Sequence, residues 1–293
     1  MIICWWSGGI TSAVACKIAI DLFGTDRCRV IMMDTHNEDE DTYRFKADCE
    51  KWYGLPIETI SAIGDTYKDI QDTWFRHLSL NVANGAICSY MLKRRVREVW
   101  QKSNSYDHQI FGFEFDKKEF NRAKSLLINH PLTRPLFPLL MFGLDKGDCV
   151  EIVKKAGIVI PRAYRWGLKN NNCLKTGCVQ GGIGYWKKIQ KEFPDKFDAM
   201  ALIEHQLTDL KGQPVTMLKD QSNEAKRLRA EDKFGNLVFL KKHSGYPHLK
   251  SIDDMAGKEV EPLQDCNGFC GVDDLNPKSG GTDLNFADGD LLA

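Results

Sequence analysis

Apolar runs and helix-spaced segments alternate through the first half of the chain. Residues 2–6 form a continuous apolar run that predicts a strand buried on both faces. The run breaks into Ser7-Gly8-Gly9-Ile10-Thr11-Ser12, and residues 13–23, nearly free of helix breakers, predict a helix. Residues 29–33 predict a second strand ending at Asp34. Residues 42–52 space Tyr43, Phe45, Cys49 and Trp52 as a helix, and residues 56–60 predict a third strand. Helices over 66–78 and 89–100, a fourth strand over 108–113 and a helix over 120–128 complete this half. Continuous apolar strands alternating with helices predict an α/β fold: a Rossmann-like parallel sheet with helices on both faces.

The second half follows another pattern. Pro135 and Pro138 make residues 133–140 an edge or extended segment rather than a central strand. Residues 145–156 predict a helix with Asp145 as N-cap and Gly157 at its end. The stretches 170–173 and 177–184 are loop-like and flank two cysteines. Helices follow over 185–193 and 197–210, then a strand over 237–240. The expected organisation is a nucleotide-binding α/β domain over 1–160 and a cysteine-containing helical and irregular region over 161–270. A Gly-, Asp- and Asn-rich tail over 271–293 is expected to be disordered.

Lys plus Arg and Asp plus Glu both number 40, so bulk charge gives no argument for nucleic acid, although a local basic patch remains open. No segment approaches the roughly 20 apolar residues of a membrane helix. With no basic leader ahead of residues 2–6, the expected location is cytoplasmic, with no membrane partner. Ten cysteines would then be reduced, and those with suggestive spacing are read as metal ligands or redox groups.

In open parallel sheets, ligands bind beyond the carboxyl ends of the strands. Three segments fall there: residues 7–12 after the first strand, Asp34-Thr35-His36-Asn37-Glu38 after the second, and Gly112-Phe113-Glu114 after the fourth. A Gly-Gly pair alone marks an ordinary turn. Between a strand and a helix it is also an anion cradle, since glycine lets the backbone approach a phosphate and the opening N–H groups of the helix point at it. An acidic strand end is by itself a helix cap as readily as a site. Lys93-Arg94-Arg95 with Arg97 spread around a helix and read as a solvated face, or as a patch for a nucleic-acid backbone. His36 reads as a surface residue, and Trp5 and Trp6 as packing.

Taken together, these motifs resemble the PP-loop superfamily of adenine nucleotide alpha hydrolases, in the branch similar to phosphoadenosine phosphosulfate (PAPS) reductase. SGGITS resembles the family's Ser-Gly-Gly-x-Asp/Thr-Ser loop, the Asp34-Thr35 pair its segment after the second strand, and ICSYMLKRRV, with Cys88 and Lys93, its Cys-x-x-x-x-Lys helix start. The segment RPLFPLL and the stretch through Cys173 and Cys178 resemble those that follow. The resemblance covers roughly residues 2 to 193. Thr11 stands where most ATP-using members have Asp, and FDKKEFNR, with Glu119 and Arg122, only approximates the family's acidic-Ser-x-x-Arg-Ala segment. The cysteine pair is spaced Cys-x-x-x-x-Cys, and the C-terminal Glu-Cys-Gly-x-His motif of the reductases is absent.

The resemblance implies an adenine nucleotide, ATP or PAPS, with Mg²⁺ accompanying ATP. Its phosphates or sulfate would lie on Ser7, Gly8, Gly9, Thr11 and Ser12, its adenine near Asp34, Thr35 and Gly112. Lys93, Arg122 and Glu119 become candidate catalytic residues, the two cations to neutralise anionic oxygens, with a solvated helix face as the alternative. The implied activity is adenylation of an acceptor, a small molecule or nucleic acid, with pyrophosphate release linked to sulfur transfer. Alternatives are sulfonucleotide reduction to sulfite and a catalytically silent nucleotide-binding module. A bulky residue at Gly8 or Gly9 is expected to abolish nucleotide binding and spare the fold. Cys88, Cys173 and Cys178, joined by Cys266 or Cys270, are candidate ligands for a [4Fe–4S] cluster, with zinc as the alternative. Cys4, Cys16, Cys28, Cys49 and Cys149 are expected in the core.

Overall fold

The computed structural model describes residues 1–82, 85–171, 173–261 and 263. The strands of its first half are β1 (Ile2–Trp5), β2 (Cys28–Met33), β3 (Ile57–Ile60), the short antiparallel pair β4 (Asn81–Val82) and β5 (Gly85–Ala86), then β6 (His108–Ile110) and β7 (Pro135–Leu136). Five of them form one parallel sheet in the order β3-β2-β1-β6-β7, with Cys4 of β1 opposite Val30 on one side and Ile110 on the other.

Alternation along β1 and β2 divides their side chains between two cores. Ile2, Cys4, Trp6, Val30 and Met32 pack with α1 (Ile10–Phe23), α2 (Glu40–Tyr53) and a later helix carrying Cys149 and Val153. Ile3, Trp5, Ile31 and Met33 face the opposite way, toward Ala123, Leu126, Val96 and Trp100. Helices therefore cover both faces, which is why these strands read as unbroken apolar runs. The five core cysteines are buried as expected, and both tryptophans are 2% exposed.

Caps explain several boundaries. Asp39 opens α2 by accepting from the Asp41 N–H, and Gly54 ends it at φ +67°. The helix expected over 66–78 shortens to α3 (Ile70–Arg76), because Asp69 caps it by accepting from the Asp72 N–H. The helix expected over 89–100 starts earlier and is built in three parts: α4 (Ile87–Ser89), a π-helical turn (Tyr90–Arg94) and α5 (Arg95–Ser103). The fourth strand stops at Ile110 rather than Phe113. Asp116 then opens α6 (Lys117–Asn129), three residues ahead of the expected start. β7 is the edge strand that Pro135 predicts, and Pro138 takes the first position of α7 (Pro138–Phe142). Asp145 forms a capping box with Asp148 at the start of α8 (Lys146–Lys155).

The second half packs a third core around α9 (Arg162–Arg165), α10 (Ile183–Glu192) and α11 (Pro194–Lys211). A small sheet, not foreseen beyond its middle strand, joins β8 (Leu218–Lys219), β9 (Leu237–Phe239) and β10 (Lys250–Ser251), with α12 (Asn223–Glu231) between the first two. The fold is thus α/β with a helical C-terminal part. The expected disordered tail, and Cys266 and Cys270, lie outside the described residues.

Glu204 of α11 braces this region from inside. Its fully buried carboxyl accepts from the Met217 N–H and the Leu240 N–H, both at 2.7 Å. Burial pushes its pKa up from 4.5 to about 8. The folded state holds the proton that the unfolded chain releases, so this group's stabilisation is complete below about pH 4.5 and is lost as pH rises through about 8. Scanning calorimetry of the wild type and Glu204→Gln should show the wild type losing melting temperature relative to the variant across that window.

Candidate functional site

The loop after β1 is built to keep backbone close to backbone. Gly8 turns at φ +87°, and a Cβ there would lie 2.8 Å from Thr42 Cγ2. A bulky residue at Gly8 therefore strains the fold itself, which corrects the expectation that such a change is structurally silent. The Ser12 hydroxyl accepts from the Ser7 N–H (3.1 Å) and the Ser7 hydroxyl (3.0 Å), and donates to the Gly9 carbonyl (2.9 Å). Thr11 is buried, and the Ile10 N–H at the start of α1 donates to the Tyr164 hydroxyl at 3.3 Å. Gly112, two residues past β6, presses on the first turn of α1. A Cβ there would stand 2.6 Å from both Ser12 N and Ser12 Cα.

Beside this loop, the end of β2 forms a buried acidic corner. Asp34 accepts from the Tyr43 hydroxyl with both oxygens at 3.0 Å and from the His36 N–H at 2.8 Å, which holds the exposed His36 at φ +53°. Its carboxylate and burial push the Tyr43 phenol well above the usual range, burial most of all. The Thr35 hydroxyl donates to Glu38 at 3.1 Å. Glu38 is 1% exposed and lies 3.6 Å from Lys93 Nζ. Burial raises the Glu38 pKa, with Lys93 acting against the rise.

Lys93 sits in the π-helical turn, a wider turn that departs from ordinary helical spacing and recurs at functional sites. The basic cluster consequently divides. Lys93 and Arg97 are buried, and burial pulls Arg97 down to about 9. Arg94 and Arg95 stay half-buried and bond to Glu98. The solvated-face alternative thus fails for Lys93. It fails for Arg122 too, which is 1% exposed, donates to both Glu119 oxygens at 2.7 Å and lies 4.6 Å from the Phe113 ring centroid. Phe113 follows Gly112 and packs in the core on the sheet face opposite α1, so this pair sits just past the end of β6 on that face.

A long loop ties these parts together. Asn171 donates to the Gly8 carbonyl and to the Thr42 hydroxyl, both at 2.9 Å. Asn37 donates to the Thr176 hydroxyl, and Lys175 donates from its backbone to Asn37 and from Nζ to the His36 carbonyl. Thr35 Oγ1 is 3.6 Å from Cys173 Sγ. Cys88 lines one small cavity with the sequence-distant pair Cys173 and Cys178 and with Ile70, Trp74 and Val179. Among the described residues, no group of three or more His, Cys, Asp or Glu side chains is arranged to hold a metal ion.

Compared with known proteins, the chain matches no protein-family model and no curated relative. Among the described residues, no helix is long and apolar enough to cross a membrane. The residues that sequence reading passed over as site members are Glu38, Tyr43, Asn171 and Tyr164. Glu38 was visible as part of an acidic strand end. The other three reach the site only through tertiary contacts.

Proposed function

We propose that this protein binds an adenine nucleotide with its phosphates on residues 7–12, and that it is a PP-loop enzyme of doubly wound, Rossmann-like topology acting at the alpha phosphate. The observation that carries the reading is joint placement. The SGG loop, the Asp34–Glu38 corner and the Gly112 contact stand at the carboxyl ends of β1, β2 and β6 respectively, neighbours in the sheet about the point where the chain order reverses and such sheets bind ligands. The loop's N–H groups and the start of α1 favour an anion. Lys93, buried 3.6 Å from Glu38, puts a positive charge at this corner. In the proposed reaction an acceptor oxygen attacks the alpha phosphorus of ATP and the bond to the bridging oxygen breaks. Pyrophosphate leaves, its charge stabilised by the loop and Lys93. The acceptor's proton goes to solvent or to a nearby carboxylate, Glu119 being the candidate.

Incubation with ATP, Mg²⁺ and acceptor mixtures tests this by pyrophosphate release. Sulfite from PAPS with thioredoxin would replace it by the reductase reading, and nucleotide binding without either product by the silent module.

A thiolate-bound metal is a second reading, supported by three cysteines lining one cavity. Among the described residues these cysteines are not arranged to hold an ion as they stand, so either zinc or a cluster would require their side chains to draw together. Such an ion would pin α4 to the 173–178 loop. The sequence candidates for a fourth ligand, Cys266 and Cys270, lie outside the described residues. Anaerobic metal analysis with visible absorption decides between zinc, iron and neither.

A further inference from the structure

Helix α10 begins with Gly181-Gly182-Ile183-Gly184, and the chain's own Glu261 is seated on it. The Glu261 carboxylate accepts from the Gly184 N–H at 3.3 Å and the Tyr185 N–H at 3.2 Å. The glycines leave room for this. A Cβ on Gly182 would meet the Glu261 carboxyl carbon at 2.7 Å, and one on Gly184 would meet the Glu259 carbonyl oxygen at 1.9 Å. A negative charge at the N-terminus of a ten-residue helix is favoured by the helix dipole as well as by the two N–H donors.

The same segment is fixed at a second point. Val260 and Leu263 pack on the C-terminal core, and the Leu263 N–H donates to Asn170 Oδ1 at 2.9 Å. Asn170 and Gly184 bracket the loop that carries Cys173 and Cys178. That loop is tied to the seat from within, because the Cys178 N–H donates to the hydroxyl of Tyr185, whose own N–H holds Glu261. Next to the cysteine cavity lies an open pocket of about 440 Å³. The two share Gln180, and Lys258 and Glu261 form part of the pocket wall.

We propose that Glu261 is a latch: its carboxylate on the N-terminus of α10 holds residues 259–261 and Leu263 against the cysteine-bearing loop, and release of that one carboxylate loosens the 177–185 end of that loop, beside the Cys88, Cys173 and Cys178 cavity. The latch is independent of the nucleotide reading. Glu261 itself touches neither the SGG loop nor the acidic corner, although the loop it restrains is bonded to both through Asn171, Lys175 and Thr176.

Hydrogen exchange on the full chain tests it. In Glu261→Ala, amides of residues 177–185, those of Cys178 and Tyr185 included, should exchange about tenfold faster or more, as expected when a charge-assisted anchor is lost. Trypsin should cut after Lys258 faster by a similar factor. Gly184→Ala evicts residues 259–261 from the other side. Alanine suits a helix start, so this variant should fold and give the same pattern. Exchange of the first sheet, β1 to β3, should not change in either variant. Unaltered exchange over 177–185 in both variants would overturn the latch, and so would uniform acceleration over the whole chain, which is general destabilisation.

Discussion

Lys93→Met is expected to lower the unfolding free energy by about 3–5 kcal/mol, the cost of removing one member of a buried ion pair. The partner left behind is Glu38, 1% exposed and 3.6 Å from the lysine nitrogen. Burial opposes charge on this carboxyl and Lys93 supports it, so without Lys93 the group either stays uncompensated or must take up a proton, and stability is lost either way. The double variant Lys93→Met with Glu38→Gln should recover much of the loss, because glutamine still accepts from the Thr35 hydroxyl and brings no charge. Urea unfolding of the two single variants and the double variant closes the cycle. If Lys93→Met costs less than about 1 kcal/mol, Lys93 is a surface-type lysine and the buried corner is wrongly drawn.

Gly112→Ala should be nearly as damaging, at about 3 kcal/mol, the upper end of ordinary overpacking. The added methyl would meet backbone atoms, Ser12 N and Cα at 2.6 Å and Thr11 C at 2.9 Å, which no rotamer change relieves. The end of β6 or the first turn of α1 must move, and with it the loop whose Ser12 hydroxyl holds Ser7 and Gly9. Gly257→Ala, where nothing lies within 4 Å, is the control and should be close to neutral. Equal melting temperatures for the two variants would remove Gly112 from the site's architecture.

The sheet was legible because its strands are apolar on both faces, and that pattern has few other uses. The loop after β1 was legible because glycines between a strand and a helix are conspicuous. The interior of residues 87–103 was not. A π-helical turn leaves no mark in side-chain periodicity, so Lys93 read as one of four basic residues spread around a helix, although it is buried and Arg94 is not. The short strands of the second sheet, two or three residues each, are set by tertiary pairing and by the Glu204 brace rather than by local pattern. Asn171 and Glu261 act across 163 and 77 residues of chain, respectively. Their roles depend on contacts that one-dimensional spacing does not carry. The convergence of Cys88 with Cys173 and Cys178 was expected from a family resemblance rather than from the residues themselves.

The central claim is that residues 7–12 hold the phosphates of an adenine nucleotide, and the most direct test is calorimetric titration of ATP and PAPS into the wild type and Ser7→Asp. Ser7 is half-buried just ahead of α1, where a carboxylate suits the helix dipole but repels a phosphate. The account predicts binding of at least one nucleotide to the wild type and its loss in Ser7→Asp, whose melting temperature is unchanged or higher. Undiminished affinity in the folded variant, or no binding of either nucleotide to the wild type, would contradict it.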